Sequence, residues 1–204
     1  MDAAAVHARL ADRFKDRITA FQAETLQPWA VVAPEAIAEV AAFCKADPDL
    51  AFDNLMCLSA VDYLKEAPPR MEVVYHLFSY THRHSFVLKV MLPRDGAALP
   101  TVEGVWGVAN WHEREAYDLF GITFTGHSDM RRILLPDDWE GHPLRKDYRE
   151  AGGWHGIGNE RENPLVELRR LDEKKKAEAR PPPPAPAAPP APPAPPAPST
   201  EGKA

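Results

Sequence analysis

The stretch from Trp111 to Tyr148, WHEREAYDLFGITFTGHSDMRRILLPDDWEGHPLRKDY, limits what this chain can fold into more than any other. It reads as one short helix followed by a long ribbon of aromatics, prolines, glycines and charges of both signs. The ribbon lacks the apolar periodicity that builds a core. It must be held by something outside itself, either the chain's own domain or a partner.

At 204 residues, with 45% hydrophobic and 26% charged, the chain fits one globular domain with appendages. A net charge of -6 and a pI near 5.8 argue against a nucleic-acid binder, which needs a basic face to displace counterions from phosphate. No run approaches the roughly 18 to 20 apolar residues that span a bilayer, and charges stand near the start where a signal peptide needs its apolar segment. These features predict a cytoplasmic chain that is not itself embedded. The two cysteines, Cys44 and Cys57, fall short of the ligand set of an iron-sulfur cluster or a Cys-rich zinc site.

Residues 1 to 125 read as an α+β domain. Val6, Leu10, Phe14 and Ile18 recur every four residues and predict an amphipathic helix, followed by a strand over 28 to 32. Pro34 and Glu35 suit the first turn of a second helix whose face carries Ile37, Val40, Ala41 and Cys44. On that face Cys44 is a small buried hydrophobe. Three strand-like runs follow, over 54 to 64, 71 to 80 and 85 to 92. Their connectors, KEAPPR and THRH, are too short for a crossover helix, so the runs form an antiparallel meander. Lys89 in the last run is expected to reach out to water. The layout is helix, strand, helix, three-stranded antiparallel meander and helix, in one antiparallel sheet with helices on a face, and then an extended carboxyl-terminal strap. His76, His82 and His84 are loop and strand histidines, with no carboxylate beside them at a ligand spacing.

The organising helix runs from about Trp111 to Phe120. Asn110 and Glu113 have the spacing of a capping box, and Gly121 fits the left-handed closing position. Glu113 falls inside the apolar arc, so its carboxylate must either fold back as a cap or meet an arginine. Arg114 and Asp118 lie opposite, at i and i+4, and are better placed to reach another chain than to stabilise the helix. The sequence HERE has Ala116 where a zinc-protease helix needs its second histidine, so it is not that motif. In the ribbon, Arg131, Arg132, Arg145 and Lys146 balance Asp137, Asp138, Glu140 and Asp147. Trp139 and Trp154 are spaced along it as interface anchors, which makes residues 126 to 163 a partner-binding strap. Residues 164 to 180 read as a charged helix or linker, and the Pro/Ala-rich tail over 181 to 204 as a disordered spacer.

The blocks WHEREAYDLFGI, GHSDMRRILLP and EGHPLRKDY, in that order and spacing, closely resemble the signature of the C-subunit family of proton-pumping NADH:quinone oxidoreductase, respiratory complex I. The resemblance covers roughly residues 1 to 150. It implies a peripheral-arm subunit that binds no flavin, iron-sulfur cluster or metal, while FMN, the clusters and quinone sit on neighbouring subunits. It implies the D subunit as the main contact, the B and I subunits nearby, and a peripheral location at the cytoplasmic face of the bacterial inner membrane. Carried over by position, the implied contact residues on the helix are Glu113, Arg114, Glu115, Tyr117, Asp118, Phe120 and Gly121. In the ribbon they are Gly126, His127, Asp129, Arg131, Arg132, Leu135, Pro136, Trp139, Gly141, His142, Pro143, Leu144, Arg145, Lys146, Asp147 and Tyr148. Ser128 and Arg149 depart from the family pattern, in which proline is common at both places.

The resemblance assigns the chain to a translocase while implying no catalytic residue on the chain itself. The equivalent subunit of a membrane-bound hydrogenase or ferredoxin-fed complex is the nearest alternative. A stand-alone metallohydrolase using His112, Glu113 and Glu115, or the loop histidines His82 and His84, is the rival from another class, and a stoichiometric metal in the purified chain would distinguish it.

Overall fold

The computed structural model describes residues 1 to 158 and 164 to 178, so the Pro/Ala tail lies outside the described residues. The chain divides into two compact units, the first of which is Met1–Glu150. Helix α1, Ala3–Phe14, opens on Asp2, whose carboxylate accepts the Ala5 N–H at 2.8 Å, and it buries Val6 and Leu10. Lys15 at φ 47° ends it, so Ile18 is not on the helix as the four-residue repeat predicted. After a short 3-10 turn, Ile18 begins strand β1, Ile18–Gln22, which sequence reading missed. Strand β2, Trp29–Val32, leads through Pro34–Ala36 into α2, Ile37–Ala46, which buries Ile37, Val40, Ala41 and Cys44. Burial pushes the Cys44 thiol well up, which keeps it inert.

Strands β3 (Asn54–Tyr63), β4 (Arg70–Ser79) and β5 (His84–Pro93) form the expected antiparallel meander. The sheet order is β1-β2-β5-β4-β3, with β2 parallel to β5. The sheet is therefore mixed rather than wholly antiparallel: α2 carries the chain back before the meander begins, so β3 and β5 run in the same direction as β2. Met71, Val73, Tyr75 and Leu77 of β4 alternate into one core with Leu88 and Val90 of β5 and with α1 and α2. Lys89 does not simply reach for water. It pairs with Glu72 at 2.9 Å and lies 4.6 Å over the Trp29 ring.

His82 is engaged by the Pro48 carbonyl at 2.8 Å and stacks on His84, and no group of three metal-ligating side chains occurs among the described residues. Short strands β6, Ala98–Pro100, and β7, Thr123–Thr125, pair in parallel and bracket α3, Ala109–Phe120. The Trp106 indole just before α3 donates to the Phe52 carbonyl at 3.0 Å and locks the helix entry to the core. Beyond the first unit, β8 (Gly153–Trp154) and β9 (Ile157–Gly158) make a small hairpin, and α4 spans Pro164–Glu178. No helix among the described residues is long and apolar enough to cross a membrane.

Candidate functional site

The site is built from α3 outwards. The helix starts at Ala109, and its capping residue Val108 makes no side-chain bond, so the predicted capping box does not form. Asn110 donates instead to Glu103 at 2.9 Å. Glu113 neither caps nor meets an arginine. Buried in the core, it accepts the Thr101 hydroxyl at 2.5 Å and the Val102 N–H at 2.8 Å, which ties the segment after β6 to α3. Burial raises its pKa, against the lowering effect of those two bonds.

A carboxyl that binds its proton more tightly in the folded state loses stability as pH climbs from the ordinary glutamate value through the raised one. Glu113→Gln keeps an acceptor for Val102 and carries no charge. It is expected to stay within about 1 kcal/mol of wild type, with the balance shifting toward the variant at higher pH. Urea midpoints for both proteins near pH 4.5 and pH 7.5 check the direction.

Asp118 holds the ribbon. One of its carboxylate oxygens accepts three successive N–H groups, from Ile133 at 3.1 Å, Leu134 at 2.8 Å and Leu135 at 2.9 Å, while the other takes Arg132 at 2.6 Å. Burial works to raise its pKa, but the bonds from Leu135, Arg132, Leu134 and Ile133 outweigh it and hold the carboxyl below its ordinary range. Arg132 also donates to the carbonyls of Trp139 at 2.9 Å and Gly141 at 3.1 Å. Arg114, on the same side of α3, donates to the carbonyls of Arg131 and Arg132, both at 3.2 Å, and its guanidinium lies over the Trp111 ring. The i, i+4 pair that a helical wheel turns toward another chain is thus covered by the ribbon of its own chain.

The carboxyl end of α3 explains the rest of the path. The last four carbonyls of a helix have no partner within it. Here Tyr117 receives the Gly121 N–H at 2.9 Å, Asp118 the His142 Nδ1–H at 2.9 Å, Leu119 the Leu144 N–H at 3.1 Å, and Phe120 the Arg145 Nε–H at 2.6 Å. The ribbon therefore completes the helix, and Arg132 and Arg145 bring positive charge to its negative end. At the ribbon's start, the buried His127 ring accepts the Asp129 N–H on Nδ1 at 3.0 Å, so its proton sits on Nε2, which faces the Asn110 carbonyl at 3.2 Å. Ser128, where the family pattern favours proline, donates its N–H to Glu103 at 2.8 Å, a bond proline lacks, so this bend is pinned by a hydrogen bond.

The structure thus gathers the helix residues and ribbon residues 127 to 148 on one framework. Its inner edge is occupied by bonds within the chain, while Trp111 at 58%, Leu134 at 62% and Leu144 at 49% remain exposed. Arg131 pairs with Asp129 at 3.0 Å and keeps 69% of its side chain exposed. Glu115 is exposed, and Tyr117 is half-buried with its ring steeply inclined to that of His142, 6.4 Å between centroids. Sequence reading did not single out Trp111 or Leu134 as surface anchors. It also missed Asp62 and Arg94, which hold the ribbon's far end at Lys146 and Asp147.

The family model described as respiratory-chain NADH dehydrogenase, 30 kDa subunit, matches residues 30 to 153. The chain is 45% identical over 148 residues to the C subunit of the NADH-quinone oxidoreductase of Chlorobium phaeobacteroides, covering 72% of this chain and 88% of that protein. It is 53% identical over 116 residues to the C subunit from a Roseiflexus species, covering 57% of this chain and 66% of that one. Among solved structures, the trypsin-resistant fragment (1-134) of Nqo5 superposes with a TM-score of 0.52 at 33% identity, covering 61% of this chain and 98% of the fragment. A chain of the archaeal membrane-bound sulfane sulfur reductase superposes with a TM-score of 0.59 at 21% identity, covering 83% of this chain and 91% of that one, and shows the fold alone.

Proposed function

Because the chain belongs to the family of the 30 kDa subunit of respiratory-chain NADH dehydrogenase, we propose that its work in an NADH-quinone oxidoreductase is to present a preformed binding surface while its neighbours carry the redox chemistry. In this reading FMN, the iron-sulfur clusters and quinone lie on other subunits, and the chain supports their electron transfer and its coupling to proton translocation from the peripheral arm. The D subunit is its main partner, the B and I subunits are nearby, and the assembly sits at the cytoplasmic face of the inner membrane. Residues 126 to 163 serve as the partner-binding strap, 164 to 180 as a charged helix or linker, and 181 to 204 as a spacer.

The observation that carries this reading is the division of the ribbon into two edges. Its inner edge is consumed by α3, so its path is set before any partner arrives. Beside that edge, Trp111 on α3 and Leu134, Leu144 and Arg131 on the ribbon stay exposed, and Trp and Arg are residue types that concentrate binding energy. A preordered surface avoids the entropy that a flexible strap loses on docking. Trp111→Ala combined with Leu134→Asp is expected to lower co-purification of the other complex subunits, and NADH:quinone activity with it, by about tenfold or more, while costing the chain's own stability no more than about 1 kcal/mol for the lost Trp111–Arg114 contact. Full assembly and activity in that double variant would overturn the assignment of this face.

A further inference from the structure

We propose that Asp62 and Arg94 are positioning residues for assembly, fixing where the ribbon's last turn, Lys146 to Tyr148, is presented. This rests on the reading of the ribbon as a partner surface and adds two residues that lie outside every motif block. Asp62 stands near the end of β3 with its side chain fully buried, and Arg94 follows β5 with little of its side chain exposed. Arg94 grips Asp62 as a fork, Nε to Oδ1 at 2.9 Å and Nη2 to Oδ2 at 3.0 Å. That geometry alone neutralises the buried carboxylate.

Two further bonds do not serve the sheet. The Lys146 N–H donates to Asp62 Oδ2 at 2.9 Å, and the Arg94 guanidinium also donates to the Asp147 carboxylate. The sheet thus grips the ribbon through one main-chain donor and one side-chain acceptor at consecutive residues, which fixes both position and direction. The neighbouring bonds from His142 Nδ1, the Leu144 N–H and Arg145 Nε go instead to α3. The Asp62–Arg94 clasp ties the ribbon to the sheet after it leaves the helix. Arg94 holds the carboxyls of Asp62 and Asp147 below their ordinary range, so the clasp is fully charged at neutral pH.

Truncating the buried pair would confuse loss of fold with loss of position. Asp147, at 53% side-chain exposure, can be changed without touching the pair. In the full-length chain, Asp147→Ala is expected to speed hydrogen exchange at the Lys146 amide about tenfold, to leave the urea midpoint unchanged, and to lower the yield of assembled complex. Arg94→Lys, which puts one ammonium in place of the fork on Asp62, is expected to speed that exchange as well. An unchanged Lys146 amide in both variants overturns the clasp and leaves the proposed function standing. Faster exchange with full assembly shows that the ribbon's end is no partner surface and overturns the inference, while the proposed function is decided by the Trp111 and Leu134 variant.

Discussion

Asp118→Ala is expected to unfasten the ribbon and to destabilise the first compact unit by about 3–5 kcal/mol, the usual cost of removing one member of a buried charge pair. The size follows from what is stranded. Arg132 keeps its carbonyl partners but loses its counter-charge, and the N–H groups of Ile133, Leu134 and Leu135 lose their common acceptor at once. Asp118→Asn retains an acceptor oxygen and should recover part of the loss. Urea unfolding gives the total, and hydrogen exchange at residues 133 to 135 shows whether the ribbon is where it is lost.

The pH dependence supplies an independent check. The Asp118 carboxyl is held below its ordinary range, so its contribution is fully present above the unfolded aspartate value and fades as pH falls through the lowered one. The difference between wild type and Asp118→Ala should therefore shrink in acid. A variant within about 1 kcal/mol of wild type at neutral pH would mean that Asp118 does not hold the ribbon.

Much of this molecule is written in local pattern. The meander is legible because KEAPPR and THRH are too short for anything but hairpins, and α2 because Pro34 opens it and Cys44 closes its apolar face. What local pattern misses is decided at long range. Ile18 fits the helical repeat of α1, and nothing local announces that Lys15 turns left-handed and hands Ile18 to β1. The parallel pairing of β2 with β5 joins segments more than fifty residues apart, beyond any periodicity.

The site was hidden for the same reason. A helical wheel assigns Asp118 to solvent because it counts only the core as a burying surface, and here the second burying surface is the ribbon itself, 14 to 17 residues downstream. Glu113 was legible as a carboxylate in trouble, but its relief came from Thr101 and Val102 in a loop, where no cap or ion-pair rule looks. Asp62 and Arg94 carry no local signal at all, since one reads as an ordinary polar strand position and the other as a loop cation.

Gly121→Ala should have the next largest effect, about 3 kcal/mol, although it adds a single methyl group to a half-buried residue. Gly121 closes α3 at φ 74°, a left-handed conformation that costs a side-chain-bearing residue about 1–2 kcal/mol. Its Cβ would stand 2.6 Å from His142 Cδ2 and Nε2 and 2.9 Å from an Arg145 guanidinium nitrogen. The His142 ring cannot retreat without giving up its bond to the Asp118 carbonyl, nor can Arg145 move freely without loosening its bond to Phe120, and each is worth about 1 kcal/mol.

The methyl group therefore acts on the ribbon rather than on the helix. Gly121→Ala should keep α3 and the sheet folded while exchange quickens across residues 142 to 145. Combining it with His142→Ala separates the two contributions. If the steric push on the ring is the main cost, the double variant should lose clearly less than the sum of the two single losses, because the ring being pushed is gone. Strict additivity would place the cost in the backbone of Gly121 and the contact with Arg145, and the fit against the His142 ring would then not be what the methyl group disturbs.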